Sequence, residues 1–137
     1  MDENPSIINH ISIGVSDLDR ARAFYDATLA PLGCRRIEEI EFAISWGKVF
    51  PEFWVGLPFD RQKASAGNGV HIALTAPSQA AVDAFFKAAL EHGGISDGEP
   101  GIRPYAPGYY AAYILDPDGN KIEAVYMPDM GAEYLEK

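Results

Sequence analysis

The sequence has little of three things: cysteine, positive charge and long apolar runs. Cys34 is the one cysteine among 137 residues, which excludes an internal disulfide or a thiolate metal cluster within one chain. Eleven basic against twenty acidic side chains give a formal charge of −9, and no Lys/Arg cluster reverses it locally. Nucleic acid and anionic membranes are therefore not expected as partners. No window approaches the ~20 apolar residues of a membrane span.

What remains is the composition of a packed globule, because 47% of the residues are hydrophobic and 23% are charged. The length fits one ordinary domain. Residues 1–5 are acidic and lack the basic start and apolar core of a signal peptide. With a single thiol and no such leader, we expect a soluble protein of the cytoplasm.

An internal repeat organises the chain. The segment that begins at His10, shifted by 61 positions, falls without a gap on the segment that begins at His71. Such a consistent register indicates two copies of one module. The aligned pairs include Ile11 with Ile72, Ala23 with Ala84, Phe24 with Phe85, Leu29 with Leu90 and Gly33 with Gly94.

Each copy has the pattern of a strand, a helix and three further strands. Alternating apolar residues predict a strand over 7–15, and Asp17 is a good N-cap for a helix over 18–32. Pro77 and Ser78 open the second helix in the same way. The other predicted strands are 35–40, 41–46 and 52–57 in the first copy, and 70–75, 95–98, 109–115 and 121–126 in the second.

These patterns predict an α+β fold of two tandem βαβββ modules that form a curved mixed sheet around a cleft. Module one spans about 7–57, a polar linker covers 58–69, and module two spans about 70–126. The acidic tail 127–137 is expected to be peripheral. A module of about 60 residues buries too little surface to be stable alone. We therefore expect residues 1–137 to form a single domain.

Two histidines occupy the same place in the two copies, near the middle of each first strand. The alternation of a strand turns His10 away from Ile11, and His71 away from Ile72, and so toward the cleft. A lone histidine on a strand is usually a hydrogen-bonded structural residue, but its repetition in register favours a ligand. Glu123, on the last strand of module two, would line the same cleft. Two imidazoles and one carboxylate are a facial ligand set for a divalent metal.

The spacing of His10, His71 and Glu123, the paired modules, and the stretch 115–123 (Leu-Asp-Pro-Asp-Gly-Asn-Lys-Ile-Glu) resemble the vicinal-oxygen-chelate superfamily. That superfamily includes glyoxalase I, extradiol ring-cleaving dioxygenases, fosfomycin-resistance proteins, methylmalonyl-CoA epimerase and bleomycin-binding proteins. The resemblance covers about residues 7–126. It implies that His10, His71 and Glu123 hold one divalent metal ion, which is Fe, Mn, Zn or Ni, and that the protein is a homodimer.

One position departs from the glyoxalase pattern. Glyoxalase I has a further ligand, Glu or Gln, on the last strand of its first module, and the repeat places Trp54 there. Tryptophan neither binds a metal nor takes a proton, so standard glyoxalase chemistry is not implied. No residue is assigned as the catalytic base.

Aromatic and basic residues near the cleft are candidates for binding the substrate. The Gly/Pro-rich segment 103–109 is suited to a loop over a cleft mouth, where an arginine can meet an anionic substrate. Ordinary packing is the alternative for each aromatic residue. The substrate-binding candidates are Trp46, Trp54, Arg103, Tyr105 and Tyr109.

The expected function is that of a metal-dependent enzyme acting on a small substrate chelated through adjacent oxygens. Lyase or isomerase chemistry and ring-cleaving dioxygenase chemistry both remain open, although such dioxygenases usually have a longer chain. The alternative is a metal-independent binding protein of the bleomycin-resistance type that sequesters a drug or metabolite. Retention of His10, His71 and Glu123 argues against that alternative, because those binders generally lack the ligand set.

Overall fold

The structure is a computed structural model and describes residues 6–129. Within that range the chain contains a strand, a helix and three strands, twice over, which confirms the predicted α+β fold of two tandem βαβββ modules. Residues 1–5 and most of the predicted tail 127–137 lie outside the described range. The elements are β1 (Ile11–Gly14), α1 (Leu18–Leu29), β2 (Arg35–Ile40), β3 (Ala43–Gly47), β4 (Phe53–Gly56), β5 (His71–Thr75), α2 (Gln79–Glu91), β6 (Ile95–Ile102), β7 (Tyr110–Leu115) and β8 (Lys121–Tyr126).

The eight strands form two four-stranded sheets with the same topology. Their orders are β1-β4-β3-β2 and β5-β8-β7-β6, and the first strand of each module pairs in parallel with the last. Among the described residues no strand pairs across the two sheets, so the chain has two mixed sheets rather than one hydrogen-bonded sheet. β1 and β5 are therefore both edge strands with one unpaired side.

The strand register supports the repeat residue by residue. Ser12 of β1 pairs with Trp54 of β4, and Ala73 of β5 pairs with Glu123 of β8. Ser12 and Ala73 are related by the same shift as His10 and His71. Trp54 and Glu123 thus occupy equivalent positions, as the repeat predicts.

Both helices begin where a polar side chain caps them. The carboxylate of Asp17 accepts a hydrogen bond from the amide of Arg20, and the hydroxyl of Ser78 accepts one from the amide of Ala81. α1 ends at Leu29, earlier than predicted, because Pro31 has no N–H and its segment forms one 3₁₀ turn instead. Neither helix in the described part of the chain is long and apolar enough to cross a membrane.

The core lies between the helices and the inner faces of the two sheets. α1 and α2 also pack against each other, so residues of both modules contribute to one cluster. Leu90, the repeat partner of buried Leu29, is 45% exposed, so the two helices do not bury equivalent positions throughout. The largest fully buried side chains are those of Trp46, Tyr25, Phe24, Phe85, Leu29, Leu32, Ile44, Ile114 and Ile122.

The turn between β7 and β8 joins the two modules. Asp116 is 2% exposed and accepts a hydrogen bond from the Tyr25 hydroxyl of α1 at 2.6 Å. The Asn120 amide group donates to the carbonyl of Gly14 at the end of β1. The Asp118 carboxylate accepts from groups at the start of module one, the amide of Ser16 and the guanidinium of Arg20. The turn thus acts as a hydrogen-bonded bridge between the modules.

Candidate metal and substrate site

Two of the three predicted ligands lie together on module two. Alternation along β5 packs Ile72 and Leu74 against the core and leaves His71 on the opposite, open face of the sheet. The Nε2 atom of His71 lies 2.7 Å from Oε1 of Glu123. The hydroxyl of Tyr109 donates a hydrogen bond to the other oxygen, Oε2. Glu123 is only 1% exposed, so both oxygens of a buried carboxylate have partners.

A glycine on the next strand leaves room for the ring of a tyrosine beside Glu123. Tyr113 of β7 pairs with Glu123 on one side and with Gly98 of β6 on the other. Gly98 has a φ of +154°, and a Cβ atom there would lie 2.8 Å from the Tyr113 ring. The Tyr113 ring therefore lies across the site, with its centroid 5.9 Å from that of His71.

A cavity of about 450 Å³ opens at this point on module two. Three of the predicted substrate-binding residues, Arg103, Tyr105 and Tyr109, line it. The sequence patterns did not identify Tyr113, Lys121 and Asp97 as lining residues. Lys121 could have been predicted, because it lies two residues before Glu123 on the same face of the strand. The complete lining is His71, Asp97, Gly98, Arg103, Tyr105, Tyr109, Tyr113, Lys121 and Glu123.

The two tyrosines nearest Glu123 keep their protons at neutral pH. Burial, followed by the hydrogen bond to Glu123, raises the pKa of Tyr109 well above its ordinary value. Burial and the negative charge of Glu123 raise the pKa of Tyr113, against a smaller opposing effect of Arg103. Both phenols are therefore hydrogen-bond donors in the cavity.

His10 is not part of this cluster within one chain. It is exposed, it lies immediately before β1 rather than in mid-strand, and its Nδ1 is 2.7 Å from the side-chain oxygen of Asn9. His71, likewise, is the first residue of β5 rather than a central one. Between residues 6 and 129, no three His, Cys, Asp or Glu side chains lie close enough together to hold a metal ion. The fold brings His71 and Glu123 together and leaves His10 apart.

The two predicted tryptophans have different positions. Trp46 is 1% exposed, packs against Tyr25 and Phe53, and donates its indole N–H to Asp26 at 2.9 Å. It belongs to the core beneath α1 and lines a cavity on module one, not the cavity beside Glu123. The alternation along β3 explains this burial, because Trp46 lies on the same face of the strand as the buried Ile44. Trp54 is partly exposed and faces away from the core, in register with Ser12.

A second cavity, of about 570 Å³, lies on module one near Cys34. Its charged groups largely neutralise one another, because Arg36 forms ion pairs with Asp26 and Glu39. Burial raises the pKa of the Cys34 thiol, which keeps it protonated. This cavity therefore lacks the convergent donors of the one on module two.

His71 and Glu123 fit a divalent metal by their chemistry. An imidazole nitrogen and a carboxylate oxygen are donors that Fe, Mn, Zn and Ni accept. The carboxylate is almost fully buried, and a buried negative charge is stabilised by a cation or by hydrogen bonds. One chain thus provides two adjacent donors, which are too few to complete a metal site.

Known proteins match this architecture. A solved glyoxalase/bleomycin resistance protein from Albidiferax ferrireducens is 35% identical, with a TM-score of 0.83, over 90% of this chain and 100% of that one. A lactoylglutathione lyase from Agrobacterium tumefaciens (23% identity, TM-score 0.63; 94% of this chain, 99% of that one) shares the fold. So does a fosfomycin resistance protein from Mesorhizobium loti (18% identity, TM-score 0.65; 98% and 99%). No curated protein matches the sequence significantly.

The two βαβββ modules and the His–Glu pair on an open sheet face are the features of the vicinal-oxygen-chelate class. The model of the Glyoxalase/Bleomycin resistance protein/Dioxygenase superfamily matches residues 7–124, nearly the whole described range. The chain belongs to this superfamily.

Proposed function

We propose that this protein is a divalent-metal-dependent enzyme, a lyase or isomerase that acts on a small substrate through two adjacent oxygens. We further propose that its metal ligands are His71 and Glu123 of one copy and His10 of a second copy. The observation that carries the proposal is the 2.7 Å approach of His71 to the buried Glu123, while the equivalent His10 stays exposed. The superfamily commonly uses a divalent metal.

The edge strands support the two-copy arrangement. β1 and β5 both end their sheets, and the residues just before them, His10 and Val70, are exposed. Two large apolar side chains that precede His10, Ile7 and Ile8, are 100% and 64% exposed. A second copy that sets its β1 beside β5 would cover this apolar surface and bring its His10 to the His71–Glu123 pair.

A bound divalent ion would supply Lewis acidity, polarising the substrate oxygens and stabilising negative charge that develops on them. The residues of this chain have separate tasks. Glu123 holds its Oε1 atom beside His71 because Tyr109 engages Oε2. The protonated hydroxyl of Tyr109 donates to Glu123, and that of Tyr113 offers a donor for a substrate oxygen. The ring of Tyr105, which is 68% exposed, packs edge-on against that of Tyr109 with the ring centroids 5.3 Å apart.

Trp54 favours a second candidate function. It places an indole where the equivalent position of module two has Glu123, so an aromatic ring replaces a charge on the open face of module one. An exposed indole and a cavity lined by tyrosines suit a binding protein that sequesters a flat ligand without a metal. Metal analysis separates this candidate from the enzyme.

The test of the two-copy site uses two defective variants together. His10→Ala and Glu123→Gln each remove one ligand from every site of a pure dimer. In a mixed dimer, one site would lose both ligands and the other would keep all three. Differently tagged copies, without polyhistidine, allow the mixed dimer to be isolated and its metal measured. We expect half of the wild-type metal content in the mixed dimer and none in either pure variant.

Each result has a defined meaning. No metal in the mixed dimer, with metal in the wild type, would contradict the shared site. Wild-type protein that remains monomeric would do the same. If the wild type binds no metal after reloading, the enzyme proposal fails and the binding protein remains. Iron or manganese as the bound ion, with oxygen consumption on catechols, would move the reaction to ring cleavage.

A further inference from the structure

Arg103 differs from the arginines that are paired elsewhere on the molecule. Arg20, Arg22 and Arg36 each form an ion pair with at least one carboxylate. No carboxylate in residues 6–129 pairs with Arg103, which is half-buried at the cavity. In a chain with twenty acidic side chains, an unpaired, half-buried arginine is unusual and calls for an anionic partner.

The backbone holds this guanidinium in position. Its Nη2 donates to the carbonyl of Glu99 at 2.5 Å, and its Nη1 donates to that of Ile102 at 3.5 Å. The Arg103 amide donates to the carbonyl of Tyr109, which ties the residue to the loop over the cavity. The guanidinium also lies over the ring of Tyr113, 5.4 Å from its centroid. Neutral carbonyls and an aromatic ring hold Arg103 in place without neutralising it, so its positive charge is available to an anionic ligand.

The other charges of the cavity are compensated. Lys121 pairs with Asp97 at 3.1 Å, and Glu123 is engaged by His71 and Tyr109. Lys121 also lies over the Tyr113 ring, 5.3 Å from its centroid, so two cations flank the same aromatic side chain. The cavity therefore carries one uncompensated positive charge, at Arg103, on the side of Tyr113.

We propose that Arg103 forms an oxyanion subsite, assisted by Lys121, and that the substrate is a small organic acid. This inference rests on the proposed function, which places the reacting oxygens of the substrate at the metal ligands. The adjacent oxygens lie at His71 and Glu123, and a carboxylate or a phosphorus oxyanion at the far end meets Arg103. The rings of Tyr105, Tyr109 and Tyr113 surround the carbon skeleton between them and favour a flat one.

The experiment compares two probes that differ in one charge. 3,4-Dihydroxybenzoate and its methyl ester both have adjacent oxygens, and only the acid carries a carboxylate. The ester withdraws electrons more strongly and lowers the pKa of its catechol hydroxyls, which therefore lose their protons to the metal more easily near neutral pH, so metal coordination alone does not favour the acid. Affinity is measured by calorimetry without oxygen on Zn²⁺-loaded protein, for the wild type, Arg103→Gln and Lys121→Gln. Arg61→Gln is the matched control, because Arg61 is exposed and lies outside the cavity.

The wild type is expected to prefer the acid by about tenfold or more, as for a charge-assisted hydrogen bond. Arg103→Gln should remove this preference, Lys121→Gln should reduce it, and Arg61→Gln should keep it. Zinc affinity should be the same in all four proteins. Zinc binding without a preference for the acid, or a preference that survives in Arg103→Gln, would overturn the subsite and leave the metal proposal standing. If zinc does not bind, the same comparison on metal-free protein decides the subsite separately from the proposed function.

Discussion

The two modules share a fold and a strand register, but their open faces have different chemistry. Module two carries Glu123 beside His71, whereas module one carries Trp54 at the equivalent position and leaves His10 without a neighbouring carboxylate. Tyr113, which pairs with Glu123, has Ser45 as its counterpart beside Trp54. Module two therefore holds the His71–Glu123 pair and the cavity beside it, whereas module one carries His10 as an exposed imidazole. A duplicated scaffold keeps its packing face in both copies, while the position that holds Glu123 in module two holds a tryptophan in module one.

The largest effect on metal binding is expected when Glu123, the carboxylate that distinguishes module two from module one, is replaced. Glu123→Gln replaces the carboxylate by an amide of the same shape, so we expect loss of metal retention with the fold preserved. Metal analysis and thermal unfolding measure the two properties. Glu52→Gln is the control, because Glu52 shares the strand parity of Trp54 on module one and is not in the ligand set. Full metal content in Glu123→Gln would show that the ligand set is wrong.

A smaller effect is expected at the hydrogen bond that orients Glu123. Tyr109→Phe removes the hydroxyl from Oε2 and lets the carboxylate rotate, which should weaken metal affinity by about 10–100-fold, as for other partners of metal ligands. Competition with a chelator measures the affinity. Tyr110→Phe is the control, because the hydroxyl of Tyr110 donates to Asp83 on α2 instead. Equal affinities of the two variants would mean that Tyr109 does not position the ligand.

The open faces of the two modules can also be made more alike by a substitution in module one. Trp54→Glu places a carboxylate at the position equivalent to Glu123, and a further ligand should raise metal affinity by roughly tenfold, or ~1.4 kcal/mol. Trp54→Gln controls for the lost indole, because it gives a polar side chain of similar length without charge. A titration of both variants with the same metal separates the two effects. If they bind equally, the open face of module one does not contact the ion.

The smallest effect at the metal is expected from the bridge between the modules. Tyr25→Phe removes a buried hydrogen bond to Asp116 and should lower the free energy of unfolding by about 2 kcal/mol, with metal affinity unchanged. Burial and the charge of Asp116 raise the pKa of Tyr25 in the folded protein. The folded state thus holds the proton more tightly than the unfolded state, so this stabilisation is complete below about pH 10 and declines above it.

The measurement is urea unfolding from about pH 8 to about pH 11, the range around the ordinary tyrosine pKa. The wild type should lose stability over this range more steeply than Tyr25→Phe, which has no proton to lose at that position. Parallel curves for the two proteins would show that the buried phenol does not contribute to the alkaline sensitivity.

Local features of the fold were predictable because they depend on neighbours in the chain. The caps Asp17 and Ser78 were identified by residue type, and β2 and β8 were predicted with their observed bounds. β6 extends to Ile102, well beyond its predicted end at 98, because it pairs with β7 through irregular register around Gly98. Such pairing depends on the partner strand, which no local pattern contains.

The strand faces of the candidate residues were predictable, but their assembly was not. Strand parity identified the open-face positions of His71 and Glu123, and the same parity on β3 places Trp46 with Ile44 in the core. The position of His10 relative to His71 depends on how the modules and copies pack. Helix-to-helix packing and the Asp116 turn decide that geometry, and both are long-range interactions that a repeat in the sequence does not specify.

The bridge at the turn between β7 and β8 also has a consequence for the order of synthesis. Its hydrogen bonds join residues 91 to 106 positions apart, from Gly14, Ser16, Arg20 and Tyr25 to Asp116, Asp118 and Asn120. On the ribosome, the start of module one is made long before its partners in this bridge. Contacts of such sequence separation slow folding. The bridge is therefore a late contact, and a nascent chain that ends before Asp116 has both helices but none of the hydrogen bonds that join the modules at this turn.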